Sequence, residues 1–167
     1  GLPPTMAFTH SRPMVQGALS RFRPGGKTAL YDAVMYALYN FQGIRGQRAL
    51  VLISDGRDTA SKFTFDQMIE YARRSGVPIY GIGIGIRPND NDVRFKLDRL
   101  CRETGGTTSY IDQARALQRV YDDIETELRS QYILGFYPPS DAKPGKWREV
   151  EVEVEGGKAK TVKGYVP

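Results

Sequence analysis

At 167 residues, with 40% hydrophobic and 26% charged side chains, the chain has the make-up of one globular domain able to bury a core, not of a disordered tail. Its net charge of +5 is spread through alternating Lys, Arg, Asp and Glu, which reads as a solvated surface and argues against the clustered basic face that nucleic-acid binding needs. No apolar run is long enough to span a membrane, Cys101 has no second cysteine to pair with, and His10 is the only histidine, which argues against a disulfide framework, Cys–His catalysis and a histidine zinc site.

The opening Gly1-Leu2-Pro3-Pro4 has no signal-peptide character, and the chain reads as processed or truncated, with any targeting segment upstream. Met14, Val15, Ala18, Leu19 and Phe22 then recur at helical spacing and run into Arg23-Pro24. Residues 29–41 are apolar on much of a helical circumference, which predicts a well-buried helix closed by Gly43 and Gly46. Residues 49–53 form a continuous apolar run that predicts a central strand covered on both faces, ended by Asp55 and Gly56. Phe65, Met68, Ile69 and Ala72 predict an amphipathic helix stopped by Gly76 and the Val77-Pro78 step, and residues 79–84 the next buried strand.

A third helix runs from Asn91 to Glu103, with Val93, Leu97, Leu100 and Cys101 on one stripe, so the thiol reads as buried and structural; Gly105-Gly106 terminate it. Residues 107–111 make a short strand. Leu117, Val120, Tyr121, Ile124 and Leu128 share one face of a fourth helix, and residues 132–137 return as a strand cut off by Pro138-Pro139. This alternation from Thr28 onward is the mark of βαβ units and a parallel sheet. Near the end the period changes to two: Val150, Val152 and Val154 alternate with Glu149, Glu151, Glu153 and Glu155, and Gly156-Gly157 supplies a hairpin turn. In that register Glu155 faces Lys158, Glu153 faces Lys160, and Val154 and Val152 face Ala159 and Thr161.

Two patches have the residues for chemistry: Gly25-Gly26-Lys27-Thr28 before a helix, and Ser54-Asp55-Gly56 after a strand. Read as a phosphate loop with a magnesium-binding Asp, they suggest a nucleotide-dependent hydrolase using Lys27 and Asp55. The loop, however, has Arg21 where a glycine is needed, and a helical pattern where a strand should precede it. In the other reading Thr28 and Asp55 converge on one cation, in the crevice where loops at the carboxyl ends of parallel strands meet, and their oxygens suit magnesium or manganese. The plainer roles are a helix cap for Thr28 and a turn former for Asp55. Gly81, Gly83 and Gly85 lack dinucleotide spacing and read as sites where helices pack closely on a strand.

Gly25-Gly-Lys-Thr-Ala-Leu-Tyr-Asp-Ala33, Ala49-Leu-Val-Leu-Ile-Ser-Asp-Gly-Arg-Asp58 and Val77-Pro-Ile-Tyr-Gly-Ile-Gly-Ile-Gly85 resemble, in order and spacing, successive landmarks of the von Willebrand factor type A domain. Leu128-Arg-Ser-Gln-Tyr-Ile-Leu-Gly-Phe-Tyr-Pro138 and the closing hairpin with Lys163-Gly-Tyr165 are similar to a bacterial branch, the VWFA-related Acidobacterial domain family. The resemblance implies a Rossmann-like α/β fold, a parallel sheet flanked by helices, with a C-terminal antiparallel β-hairpin. Residues 1–138 would form the α/β domain without its first strands and residues 139–167 the hairpin extension. It further implies a metal-ion-dependent adhesion site in a protein-binding module, with Thr28 and Asp55 as ligands of Mg2+ or Mn2+ and a partner's carboxylate completing the shell. Gly26, Ser54, Gly56, Asp32 and Asp58 would support the site, Asp32 by holding the loop and Asp58 as a nearby acid or a solvated one.

The family's first site loop, Asp-x-Ser-x-Ser, occurs nowhere in the 167 residues. The strands that carry it are therefore expected upstream or on a separate polypeptide, and the ion only where that loop is supplied. An extracytoplasmic bacterial setting and a role without catalysis complete the expectation. A domain of this type that binds partners without metal is the remaining alternative.

Overall fold

The computed structural model describes residues 8–21, 25–138, 143–157 and 159–166. Helix α1 (Arg12–Leu19) starts at Ser11, whose hydroxyl accepts from the Met14 amide. Its apolar positions Met14, Val15 and Leu19 all lie exposed. From there α2 (Leu30–Tyr39), β1 (Leu50–Ser54), α3 (Phe65–Ser75), β2 (Ile79–Ile84), α4 (Asn91–Glu103), β3 (Thr108–Ile111) and α5 (Leu117–Arg129) alternate as the sequence predicts.

Local chemistry sets the boundaries. Thr64 and Gln67 form a reciprocal capping box at the start of α3, and Gly76 ends that helix in the left-handed conformation at φ 62°. Thr104, only 2% exposed, ties the end of α4 to the start of β2. Its hydroxyl accepts from the Ile79 amide at 3.1 Å and donates to the Leu100 carbonyl at 2.9 Å. Gly106 passes so close to the Ile79 backbone that no side chain fits there.

The three strands pair in parallel in the order β1-β2-β3, from Leu50 opposite Ile79 and from Gly81 opposite Thr108. This is the expected Rossmann-like layering. Ile79 packs with Val34 and Leu38 of α2, Met68, Ile69 and Ala72 of α3, and Leu97, Leu100 and Cys101 of α4. Tyr80 and Ile82 instead meet Ile111 and the α5 residues Val120 and Ile124. Gly81 admits a closely packed helix as expected, a Cβ there lying 2.8 Å from the Cys101 sulfur of α4, whereas Gly83 makes room for Ile86 and for Tyr110 of β3, neither of them on a helix. Gly85 differs, since it borders open space and has φ +68°, so it serves a turn.

Other expectations are corrected. Among the described residues β1 stands at the edge of the sheet, not at its centre: only β2 pairs with it, none of its residues is fully buried, and Ile53 is 44% exposed. In α2 only Val34 and Leu38 are buried, while Tyr36 and Tyr39 face outward, as does Tyr121 on α5. Residues 132–137 form no strand, having no ladder partner among the described residues. The hairpin keeps its predicted register, with β4 (Arg148–Glu149) antiparallel to β5 (Gly164–Tyr165), Arg148 opposite Tyr165 and Val150 N–H donating to Lys163 O. Its ladder is confined to that end.

The predicted cross-strand charge pairs fare differently. Lys160 pairs with Glu127 on α5, not with Glu153, because the ribbon lies against the body. The expected Glu155–Lys158 pair lies outside the described residues, as does the proposed domain boundary at 138/139. Arg73 of α3 stacks on Trp147, 4.2 Å from its ring centroid, and holds the ribbon from the other side. No helix among the described residues is long and apolar enough to cross a membrane.

Candidate functional site

Thr28 stands just before α2, and Asp55 just after β1. The loop following Asp55 folds back over the start of α2 and is joined to it along its length. Thr28 N–H donates to the Thr59 hydroxyl at 2.9 Å, and Thr28 O accepts from the amides of Thr59 and Ala60 at 2.8 and 3.0 Å. The backbone of Thr28 is thereby fixed while the residue stays exposed.

Asp58 makes the strongest link. Its Oδ1 accepts from the Leu30 amide at 2.7 Å, the Tyr31 amide at 3.3 Å and the Ser61 hydroxyl at 2.5 Å, while Oδ2 accepts from the Ser61 amide at 3.3 Å. The N-cap position of α2 is Ala29, which has no side chain to cap with. A carboxylate 28 residues further on satisfies the orphan amides instead and complements the positive end of the helix dipole. Burial acts to raise the Asp58 pKa, but the bonds from Ser61, Tyr31 and Leu30 outweigh it and hold the carboxyl below its ordinary value.

Asp32 works in the opposite direction across the same seam. Its carboxylate accepts from the amides of Lys62 at 3.0 Å and Phe63 at 3.1 Å, and its own amide donates to the Ser61 hydroxyl. Asp32 thereby ties the start of α2 to residues 61–63. Asp58 is neither a merely solvated acid nor a free one: it accepts from the backbone amides of Leu30, Tyr31 and Ser61 and from the Ser61 hydroxyl.

Asp55 is left exposed, with Oδ1 accepting from the Arg57 amide at 3.1 Å. The Ser54 hydroxyl accepts from the Gly56 amide at 2.9 Å, so this pair shapes the turn that presents Asp55. Gly56 has φ +75°, and a Cβ there would run into Val93. Gly26 has φ +81° beside open space, so there the conformation alone favours glycine.

The amides of Thr28, Leu30, Tyr31 and Asp32 are all occupied by protein acceptors, and one of those acceptors is an anion. A phosphate needs those same donors and would meet the Asp58 charge, so the arrangement does not fit a phosphate loop. For a hard cation, the exposed hydroxyl of Thr28 and carboxylate of Asp55 are suitable donors, but two oxygens do not make an octahedral shell. Among the described residues no cluster of three or more His, Cys, Asp or Glu could hold a metal ion. Elsewhere, Cys101 is buried as expected, and burial pushes its thiol up to about 11.

Sequence reasoning passed over Thr59 and Ser61, which fasten the two loops. Their signal is the run Asp58-Thr59-Ala60-Ser61, dense in short polar side chains that bond to backbone.

No curated protein matches the chain significantly. Among solved structures it is similar to one described as an uncharacterised membrane-spanning protein from Vibrio fischeri, at 24% identity over 71% of this chain and 67% of that one, with a TM-score of 0.43. That likeness carries no argument about function. The sequence profile of the von Willebrand factor type A domain, by contrast, matches residues 5–123, more than half of the chain, and includes both loops described above. The chain belongs to the von Willebrand factor type A domain family, whose fold serves as a protein-interaction and adhesion module.

Proposed function

We propose that this domain binds a protein partner through a divalent cation, Mg2+ or Mn2+, held on its side by the Thr28 hydroxyl and the Asp55 carboxylate. The observation that carries this reading is the pairing of the two loops: both are fixed by backbone bonds, while Thr28 and Asp55 themselves remain exposed. A cation bound there would supply an electrophilic point for a partner's carboxylate. Thr28 and Asp55 would orient it, and Ser54 and Gly56 would hold the turn that aims Asp55. Further oxygens must come from outside the described residues, and the edge of β1, unpaired among the described residues, offers a place for a strand that carries them, from the same chain or from a separate polypeptide.

The reading is of a binder, not an enzyme. It is supported by the buried, weakly acidic Cys101, the isolated His10 and the engagement of Asp32 and Asp58, which leave no nucleophile–base pair in evidence at this site. Resemblance to the Acidobacterial branch supports a bacterial protein outside the cytoplasm.

The test is a calorimetric titration of Mn2+ into the protein with its natural flanking sequence in place. Saturable binding that Asp55→Ala abolishes without unfolding the domain is the expected result. Binding unaffected by Asp55→Ala refutes the site, and no binding by any divalent ion selects the metal-free interaction domain.

A further inference from the structure

We infer that Asp58 is a positioning residue for the Thr28–Asp55 pair, which locks the two loops together before any cation arrives; this rests on the cation reading above. Asp58 is three residues from Asp55 in sequence, and its carboxylate grips the amides of Leu30 and Tyr31, two and three residues from Thr28. Any shift of the Asp55 turn relative to Thr28 must therefore break bonds to the start of α2. Ser61 closes the same clamp, since its hydroxyl donates to Asp58 and accepts from the Asp32 amide.

The lock has a direct consequence for binding. Two loops joined only by an ion must be ordered at the moment of binding, and that ordering weakens affinity. Loops already bonded through Asp58, Thr59, Ser61 and Asp32 present their oxygens in a fixed relation. Asp58 is not itself a ligand in this scheme: its Oδ1 is engaged by the Leu30 and Tyr31 amides and the Ser61 hydroxyl, and its Oδ2 accepts from the Ser61 amide. Its charge serves α2, whose own cap position is the alanine Ala29.

Two measurements on the protein with its natural flanking sequence separate this role from its neighbours: Mn2+ affinity, and amide hydrogen exchange at Leu30, Tyr31 and Ser61 without metal. Asp58→Ala should speed exchange at those amides and lower Mn2+ affinity about 10–100-fold, the range typical when a residue that holds a metal ligand is lost. Asp58→Asn, which keeps an acceptor oxygen and is itself a good cap, should recover most of both. Asp55→Ala should lose Mn2+ while leaving the exchange pattern intact. Should Asp58→Ala fail to fold, Ser61→Ala tests the same clamp with a smaller change in the same direction. Wild-type Mn2+ affinity in Asp58→Ala, or an Asn variant as damaged in affinity as the Ala variant, overturns the positioning role. Unchanged exchange in Asp58→Ala overturns the lock. Absence of Mn2+ binding by the wild type overturns the cation reading and with it the role toward an ion, even where exchange shows the lock to exist.

Discussion

The loop after Asp55 and the segment at residues 132–137 have opposite compositions and opposite degrees of engagement. The loop is built largely of short polar residues, yet Asp58, Ser61, Lys62 and Phe63 are bonded to the start of α2, and Thr59 and Ala60 to Thr28 just before it. The segment is rich in aromatic and aliphatic side chains, yet Tyr132, Ile133 and Tyr137 are 92%, 89% and 97% exposed. Among the described residues Phe136 alone in this segment gains a ring contact, edge-on to Tyr165 at 5.1 Å. Directional bonds to orphan amides anchor a polar loop, whereas apolar side chains stabilise only where another surface covers them.

The loop's packing against α4 is as demanding as its bonds to α2. Gly56→Ala should cost about 1–3 kcal/mol, the range for an overpacked site, because the new methyl meets Val93 at a positive φ. Urea denaturation measures it, and a loss indistinguishable from zero would mean that the loop is free to move away from α4.

A subtler test uses pH. Asp58 has a depressed folded-state pKa, so the stability it contributes is present above its unfolded value of 3.8 and is lost as pH falls through the lower folded value. Thermal unfolding of the wild type should therefore decline through that acidic window more steeply than that of Asp58→Asn. Parallel profiles would show that the carboxylate's charge adds nothing to the cap.

The smallest effect belongs to the segment. Leu134→Ser should change stability by less than about 0.5 kcal/mol, as surface substitutions do. A loss as large as that of Gly56→Ala would show that residues 132–137 are covered in solution.

Much of this was legible in advance, because periodicity records which face of an element is apolar. Residues 79–84 and 91–103 emerged as strand and helix with the predicted bounds, Gly76 stopped its helix, and the hairpin kept its register. The same local logic misled at residues 132–137, where an apolar run names a strand former without supplying a neighbour, and at residues 49–53, where a buried-strand pattern belongs to a half-open edge.

Residue type and spacing along the chain were enough for the helix–strand alternation from α2 to α5, the parallel sheet, the family landmarks and the placing of Thr28 and Asp55 in loops beside α2 and β1. The tertiary structure alone decided that Asp58 caps a helix 28 residues upstream, that Lys160 turns to Glu127, and that Asp32 and Ser61 stitch the site loops together. A hydrogen bond between distant loops depends on which loops the packed sheet and helices bring within about 3 Å, and linear spacing carries no record of that distance.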